Sequence, residues 1–427
     1  MGGVPTPEPT ARNRTICLPI DEARYEHIIH DAGAFRAWLT EQYVLHPELF
    51  PELHPELFPE LFPELLARGF CLKDSRTSAR LGIVIRRIQL PDGTAWSIRP
   101  SFVMPGMTAR TEDVRNPLFL RKFAVPYWAL AEVYGRNAMY YHRLQRSLGR
   151  NSLAGTTVRK GSLPQDLLGD EHHQTCDGRK VYIASTVGDG CWLGAEIAES
   201  AGTDDLTAAY RVFASEALNM TPDYQPVTVN TDGWGPTQAA WQRLFPLITI
   251  LECFLHAWLS IRTRGKKHEL FEEVSRQVWD AWRAVSVRSF SQRIRRLRSW
   301  ADSHLTGWIH EKTIRLCEKR SRWAVAYQHP TGHRTSNMLD RMMRGMDRYY
   351  SSTQHFHGSL TAIRLTSRSQ ALLWNFTPWH PSITRRDGWQ SPAERLNKYR
   401  YHNDWLQNLL ISASCGGYRY KQPPQNP

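Results

Sequence analysis

Three aspartates, one Cys-x-x-His pair and a stripe of three arginines are the residues of this chain best suited to joint chemistry. Asp170 follows Leu167-Leu168-Gly169, Asp232 closes Val227-Thr228-Val229-Asn230-Thr231, and Asp340 ends Ser336-Asn337-Met338-Leu339. Hard divalent cations such as Mg2+ take oxygen ligands and keep positions open for substrate. Two such ions roughly 3.5–4 Å apart activate an attacking hydroxyl and stabilise the leaving oxygen of an in-line displacement, which is what phosphodiester chemistry requires. Three carboxylates supply the charge to hold both. Arg341, Arg344 and Arg348 follow Asp340 at three- and four-residue spacing, one basic stripe beside the acids and suited to phosphates.

Each residue also has a plainer account. Asp170 and Glu171 would simply end a strand at the surface, and Glu171 rivals Asp170 as the first acid. Asp232-Gly233 is a turn pair. Asp340 follows Asn337 by three residues and would complete a helix N-terminal capping arrangement, and Asp347 is its rival. The arginines would form a solvated face. His172-His173-x-x-Cys176 and Cys253-x-x-His256 offer nitrogen and sulfur ligands for zinc. As an alternative, Cys253 and His256 are buried residues at the start of an apolar helix.

The elements that must position these residues are strands and helices in alternation. Leu167–Glu171, Val181–Val187 and Trp192–Ile197 read as strands, Leu206–Leu218 as a helix, and Val227–Asp232 as a strand. Thr237–Phe245 then reads as a helix, Leu247–Leu251 as a strand and Cys253–Arg262 as a helix. A three-strand meander followed by parallel β-α-β units brings the ends of the first and fourth strands side by side, and a later helix packs on the same edge. From Lys266 to about Tyr327 the chain reads as helical and basic, with Arg283, Arg288, Arg293, Arg295, Arg296 and Arg298 and interleaved tryptophans. These tryptophans are either core or base-stacking platforms. A further helix covers Asn337–Tyr350.

Upstream, Ala79–Met104 reads as a β-hairpin turning at Pro91-Asp92-Gly93. Asn116–Lys122 and Tyr127–Tyr134 read as helices. Gly135-Arg136-Asn137 separates the latter from Ala138–Leu148, which carries Tyr141, Arg143 and Arg146. That spacing fits a helix-turn-helix with the second helix reading DNA, or an ordinary helical hairpin. A Pro-Glu-Leu repeat from Pro47 to Pro63 excludes a regular α-helix there, because proline removes helical hydrogen bonds. The boundaries expected are an arm at 1–78, a DNA-binding region at 79–160, a core at 161–262 and 331–365, a helical insertion at 263–330, and a C-terminal region at 366–427.

Composition narrows the class. Among 427 residues, 54 Lys and Arg against 41 Asp and Glu give +13, and a basic surface gains affinity for polyanions by counterion release. Seven scattered cysteines make no disulfide framework, so a reducing cytoplasm is expected. The most apolar window, Leu244–Ile261, contains Pro246, Glu252 and His256, which argues against a membrane span.

Taken together, the acid before Val181–Val187, the Val-Thr-Val-Asn-Thr-Asp-Gly-Trp strand, the Cys-x-x-His one strand later and the Ser-Asn-x-x-acid helix resemble Mutator-type and related bacterial insertion-sequence transposases. The resemblance spans roughly Asp170 to Leu360. It departs from the family pattern in having Asp340 where Glu is commoner. It implies an α/β RNase H-like core, a mixed five-stranded sheet with helices and a large helical insertion, preceded by a β-hairpin and helix-turn-helix. It further implies that Asp170, Asp232 and Asp340 bind two Mg2+ or Mn2+ ions, and that Cys253 and His256 support the site. Arg136, Tyr141, Arg143, Arg146, Arg341, Arg344 and Arg348 would contact double-stranded DNA, both terminal repeats and target. The expected activity is strand cleavage and strand transfer by a homo-oligomer, at least a dimer, in a bacterial cytoplasm at the nucleoid, with no membrane partner. A domesticated DNA-binding protein and a nuclease without joining are the alternatives.

Overall fold

Backbone pairing with the neighbouring strand runs from Leu168 to Cys176 and places Asp170 inside a strand rather than at a strand end. Residues 14–50, 70–90, 93–352 and 358–418 are described in the computed structural model. Within them the strands are β1 Thr15–Leu18, β2 Cys71–Ser78, β3 Ile83–Gln89, β4 Ala95–Pro100, β5 Asp166–Cys176, β6 Arg179–Gly188, β7 Cys191–Ala198, β8 Thr228–Thr231 and β9 Thr249–Glu252. The strand expected to stop at Glu171 thus continues through His172-His173-Gln174-Thr175. Two Asp-Gly turns make the meander: Asp177-Gly178 and Asp189-Gly190 all have positive φ, as tight two-residue hairpin turns require.

The larger sheet is mixed, in the order β7-β6-β5-β8-β9. β5, β6 and β7 pair antiparallel, whereas β8 lies parallel to β5 and to β9. Helices Thr203–Met220 and Gly235–Leu244 make the crossovers. Side chains alternate between the two faces of a strand. Leu167, Ala184 and Leu193 accordingly join a core with Leu206, Tyr210, Phe213, Trp241 and Phe245. Leu168, Ile183 and Trp192 face the other way, into a core with Met342, Tyr349, Leu372 and Leu373. That second face is covered by helices Asn337–Ser352 and Leu360–Phe376. The Asn375 side chain exchanges hydrogen bonds with both backbone groups of Trp192, tying the latter helix to β7.

The hairpin read from the sequence is β3 and β4, with Ile88 opposite Trp96. Pro91 and Asp92 lie outside the described residues. The hairpin belongs to a four-stranded sheet, β1-β4-β3-β2, whose two other strands were not anticipated. β2 is polar and mostly exposed, and β1 is four residues long and pairs in parallel with β4. Of the proline repeat, Pro47–Leu49 forms a 3-10 turn, and residues 51–69 lie outside the described residues.

Helix Thr111–Lys122 begins five residues earlier than expected, with Glu112 and Asp113 in its first turn. Helices Tyr127–Tyr134 and Ala138–Leu148 follow, joined by Gly135, Arg136 and the capping Asn137. The buried Gln145 carboxamide accepts from Arg121 and Tyr127 and donates to Tyr349, Ser369 and Gln370. Ala138–Leu148 is thereby fastened to the helix that bears Asp340. A short buried helix, Leu153–Thr157, precedes the boundary expected at residue 160.

The basic segment folds as helices Phe254–Gly265, Phe271–Trp282, Val287–His304, Gly307–Glu318 and Arg320–Ala324 around their own core of Val278, Phe290, Ile294 and Leu297. Its tryptophans pack inward: Trp282 stacks on Phe254 with ring centroids 4.8 Å apart, and Trp323 is buried. No helix among the described residues is long and apolar enough to cross a membrane.

Candidate metal centre

Strand alternation decides between the neighbouring acids Asp170 and Glu171. Asp170 shares the face of Leu168 and looks toward helix Asn337–Ser352. Glu171 points into the opposite core, where its carboxylate is buried and accepts from the Tyr210 hydroxyl at 2.7 Å and the Thr237 hydroxyl at 2.8 Å. Burial pushes Glu171 up to about 7, against those hydrogen bonds. Glu171 is a core residue and does not rival Asp170.

Ligand atoms of Asp170, His256 and Asp340 lie within 4.8 Å of one another, the one such group among the described residues. Asp170 is pushed up to about 6, chiefly by burial and then by the charges of Asp232 and Asp340, against a hydrogen bond from Glu171 N–H and the His256 charge. Asp340 lies in the first turn of helix Asn337–Ser352 and accepts from the Ser336 hydroxyl at 3.1 Å. Its partner in that local contact is Ser336 rather than Asn337.

His256 arrives from the first turn of helix Phe254–Gly265, directly after β9. Cys253 stands at the cap position of that helix, wholly buried. Its sulfur accepts from Ser336 N–H at 3.2 Å and donates to the Ser336 hydroxyl at 3.3 Å. A continuous relay therefore runs from the Cys253 thiol through Ser336 to the Asp340 carboxylate. Contact with the Cys253 sulfur pushes His256 up to about 9. Burial opposes that shift, and the charges of Asp170 and Asp340 add to it. Burial would raise the Cys253 thiol, but its hydrogen bonds with His256 and Ser336 outweigh that and hold it below its ordinary value. His256 Nδ1 is buried without a hydrogen bond of ordinary geometry.

Asp232, the acid best framed by its strand and turn, stays outside this group. It is exposed one residue beyond β8, and its carboxylate accepts from Trp234 N–H at 2.8 Å across Gly233, an Asx turn. Its charge still reaches Asp170. Asp347 is also elsewhere, with its carboxylate 3.0 Å from His172 Nε2. The zinc set is not assembled. His172 is engaged with Asp347 and Gln174, His173 packs on Tyr182, and Cys176 lies near the Gly358 carbonyl.

Arg341, Arg344 and Arg348 are exposed along the helix of Asp340. Arg136 and Arg143 are exposed and Arg146 is half-buried. Tyr141 corrects the expectation of a DNA-contacting tyrosine. It is 3% exposed, and its hydroxyl donates to the Gly135 carbonyl at 2.9 Å, so it closes the turn from inside. Glu252 was missed. It ends β9 in register with Thr231, buried beside the Gly233 turn, and its carboxylate binds Lys319 at 3.0 Å and Arg322 at 2.5 Å. The signal was an acid immediately before Cys253, at the same sheet edge as Asp232.

Two carboxylates and an imidazole with their ligand atoms this close are a donor set that could hold a divalent cation.

No protein-family model matches the sequence, and no curated protein matches it. Among solved structures, a chain of the simian T-cell lymphotropic virus intasome in complex with PP2A regulatory subunit B56 gamma aligns at 16% identity, over 44% of this chain and 69% of that chain. The TM-score is 0.18, too loose a superposition to define a common fold.

Proposed function

We propose that this chain is a DNA transposase of the DDE/D type, cleaving strands at the ends of a mobile element and joining them to target DNA. The observation that carries the reading is positional. Asp170 on the central strand of a β7-β6-β5-β8-β9 sheet meets Asp340 from a later helix, with Asp232 just beyond the adjacent parallel strand. That strand order is the one expected of an RNase H-like core.

Bound divalent ions, Mg2+ or Mn2+, would lower the pKa of an attacking water or hydroxyl and stabilise the leaving oxygen. Asp170 and Asp340 would hold one ion. Asp232, which now accepts from Trp234 N–H, would contribute to a second. Cys253 and Ser336 keep Asp340 and His256 in place through the relay between them. Arg341, Arg344 and Arg348 receive the phosphates flanking the scissile bond, and Arg136, Arg143 and Arg146 the terminal repeats. The unit at 254–327 carries sixteen Lys and Arg against seven Asp and Glu, and lines more of the duplex. Two ends must be paired for joining, so the working form is at least a dimer.

The test is cleavage and joining of DNA bearing the sequences that flank the coding region, with Mg2+. Wild type yields joined products, and Asp170→Asn, Asp340→Asn and Asp232→Ala do not. Cleavage without joining would make the protein a nuclease, and DNA binding without cleavage a binding protein only. Full activity of Asp232→Ala would refute the assignment of that acid.

A further inference from the structure

The resemblance allots the metals to three carboxylates, but the ligand atoms that converge are those of Asp170, Asp340 and His256. We infer that His256 is a direct nitrogen ligand of the first metal position, which therefore prefers Mn2+ or Co2+ to Mg2+. This rests on reading the centre as a divalent-metal site, and it assigns His256 a coordinating role instead of a supporting one.

Three observations carry it. Ligand atoms of the imidazole and of both carboxylates all lie within 4.8 Å of one another, a spacing compatible with groups that surround one ion. Its Nδ1 is buried without a hydrogen bond of ordinary geometry, although the ring touches the Cys253 sulfur. Asp232, which would otherwise complete an all-oxygen set, spends its carboxylate on the backbone of its own turn. The ring is also held from behind. His256 sits one turn after Cys253, whose sulfur is fixed by Ser336, and outer contacts of this kind set the orientation of ligating imidazoles.

The donor set determines the metal. Mg2+ demands hard oxygen ligands in near-ideal octahedral geometry and keeps several waters. Imidazole nitrogen favours the later first-row ions, in the order Mn2+ below Fe2+ below Co2+. Replacing a third carboxylate with a neutral imidazole also removes one negative charge from the shell, which costs Mg2+ the electrostatic term it depends on most.

The experiment is pulsed electron paramagnetic resonance of the full-length protein with one equivalent of Mn2+, together with Mn2+ and Mg2+ titrations of wild type, His256→Gln, Asp232→Asn and Asp170→Asn. In wild type a directly bound nitrogen is expected to modulate the Mn2+ echo. Asp232→Asn keeps that modulation. His256→Gln loses it and binds Mn2+ more weakly by at least the ~10–100-fold that loss of even an outer contact brings, while its Mg2+ affinity changes much less. Bound Mn2+ without nitrogen modulation in wild type overturns the inference and leaves the carboxylate reading of the centre intact. So does Mn2+ binding lost in Asp232→Asn but kept in His256→Gln. Absence of any Mn2+ or Mg2+ binding by wild type, at levels where Asp170→Asn behaves identically, overturns both. The wild-type spectrum decides without a variant, so misfolding of a variant cannot mask the answer.

Discussion

Gly169→Ala should be among the more damaging single-methyl additions in this protein. A Cβ at Gly169 would meet Nε1 of Trp241 at 2.6 Å and two further indole carbons at 3.1 and 3.2 Å. Real Cβ atoms essentially never approach below 3.0 Å, so either the indole or β5 must move. The indole has little room. Trp241 is fully buried, with ring centroids 5.0 Å from Tyr210, 6.0 Å from Phe213 and 5.9 Å from Phe245. Overpacking of this kind costs about 1–3 kcal/mol. Trp241→Phe removes the crowding atoms and opens a cavity, at a cost of about 1–2 kcal/mol. The double variant should therefore be more stable than the sum of the two losses predicts, by about 1–2 kcal/mol. Urea unfolding followed by circular dichroism measures all four corners of the cycle. Gly169 immediately precedes Asp170, so Mn2+ affinity should fall in Gly169→Ala and recover in the double variant. Additivity within about 0.5 kcal/mol, or a Gly169→Ala variant as stable as wild type, would refute the packing argument.

Three further outcomes are expected. Arg368→Met strips the guanidinium from the buried carboxylates of Glu216 and Glu196 and should cost about 3–5 kcal/mol by urea unfolding; a loss below about 1 kcal/mol would mean the cluster is not cooperative. Burial pushes Lys122 from an ordinary 10.5 down to about 8, where its ammonium donates to the Thr377 and Pro378 carbonyls. Between those values the unfolded chain holds the proton and the folded chain has released it, so this group adds stability as pH rises from about 8 to 10.5. The stability difference between wild type and Lys122→Met should move in that direction across the window, and a flat difference counts against it. Replacing Arg341, Arg344 and Arg348 together with Gln should reduce the slope of log affinity for duplex DNA against log salt by about 2–3, and an unchanged slope would place the phosphates elsewhere.

The parts of this protein readable from its sequence are those governed by local rules. Short strand-forming runs marked Val181–Val187 and Trp192–Ile197, which lie on observed strands, and Val227–Asp232, which overruns β8 by one residue at each end. Helical spacing and the Gly135 break marked Tyr127–Tyr134 and Ala138–Leu148 to the residue. The strand bearing Asp170 was cut short because Glu171-His172-His173-Gln174 lacks apolar alternation. Those residues are accommodated by partners distant in the chain, such as Tyr210 for Glu171 and Asp347 for His172. β1 and β2 escaped for a related reason. β1 is too short to show a period, and the polar β2 takes its place from the backbone of β3.

The acids divide along the same line. Sequence alone determined that Asp170 and Glu171 take opposite faces, since neighbours on a strand must, and that Asp232 follows a strand at a Gly-containing turn. Only the tertiary structure decided which face meets helix Asn337–Ser352, and hence that Asp170 joins Asp340 while Glu171 goes to the core. Only the tertiary structure set His256 among the carboxylates and left Asp232 bonded to Trp234 N–H. The physical reason is range. Backbone periodicity orients a side chain within a few residues of itself. Convergence of groups 84 to 170 positions apart depends on how whole helices pack on a sheet and on which hydrogen bonds each carboxylate finds when they do.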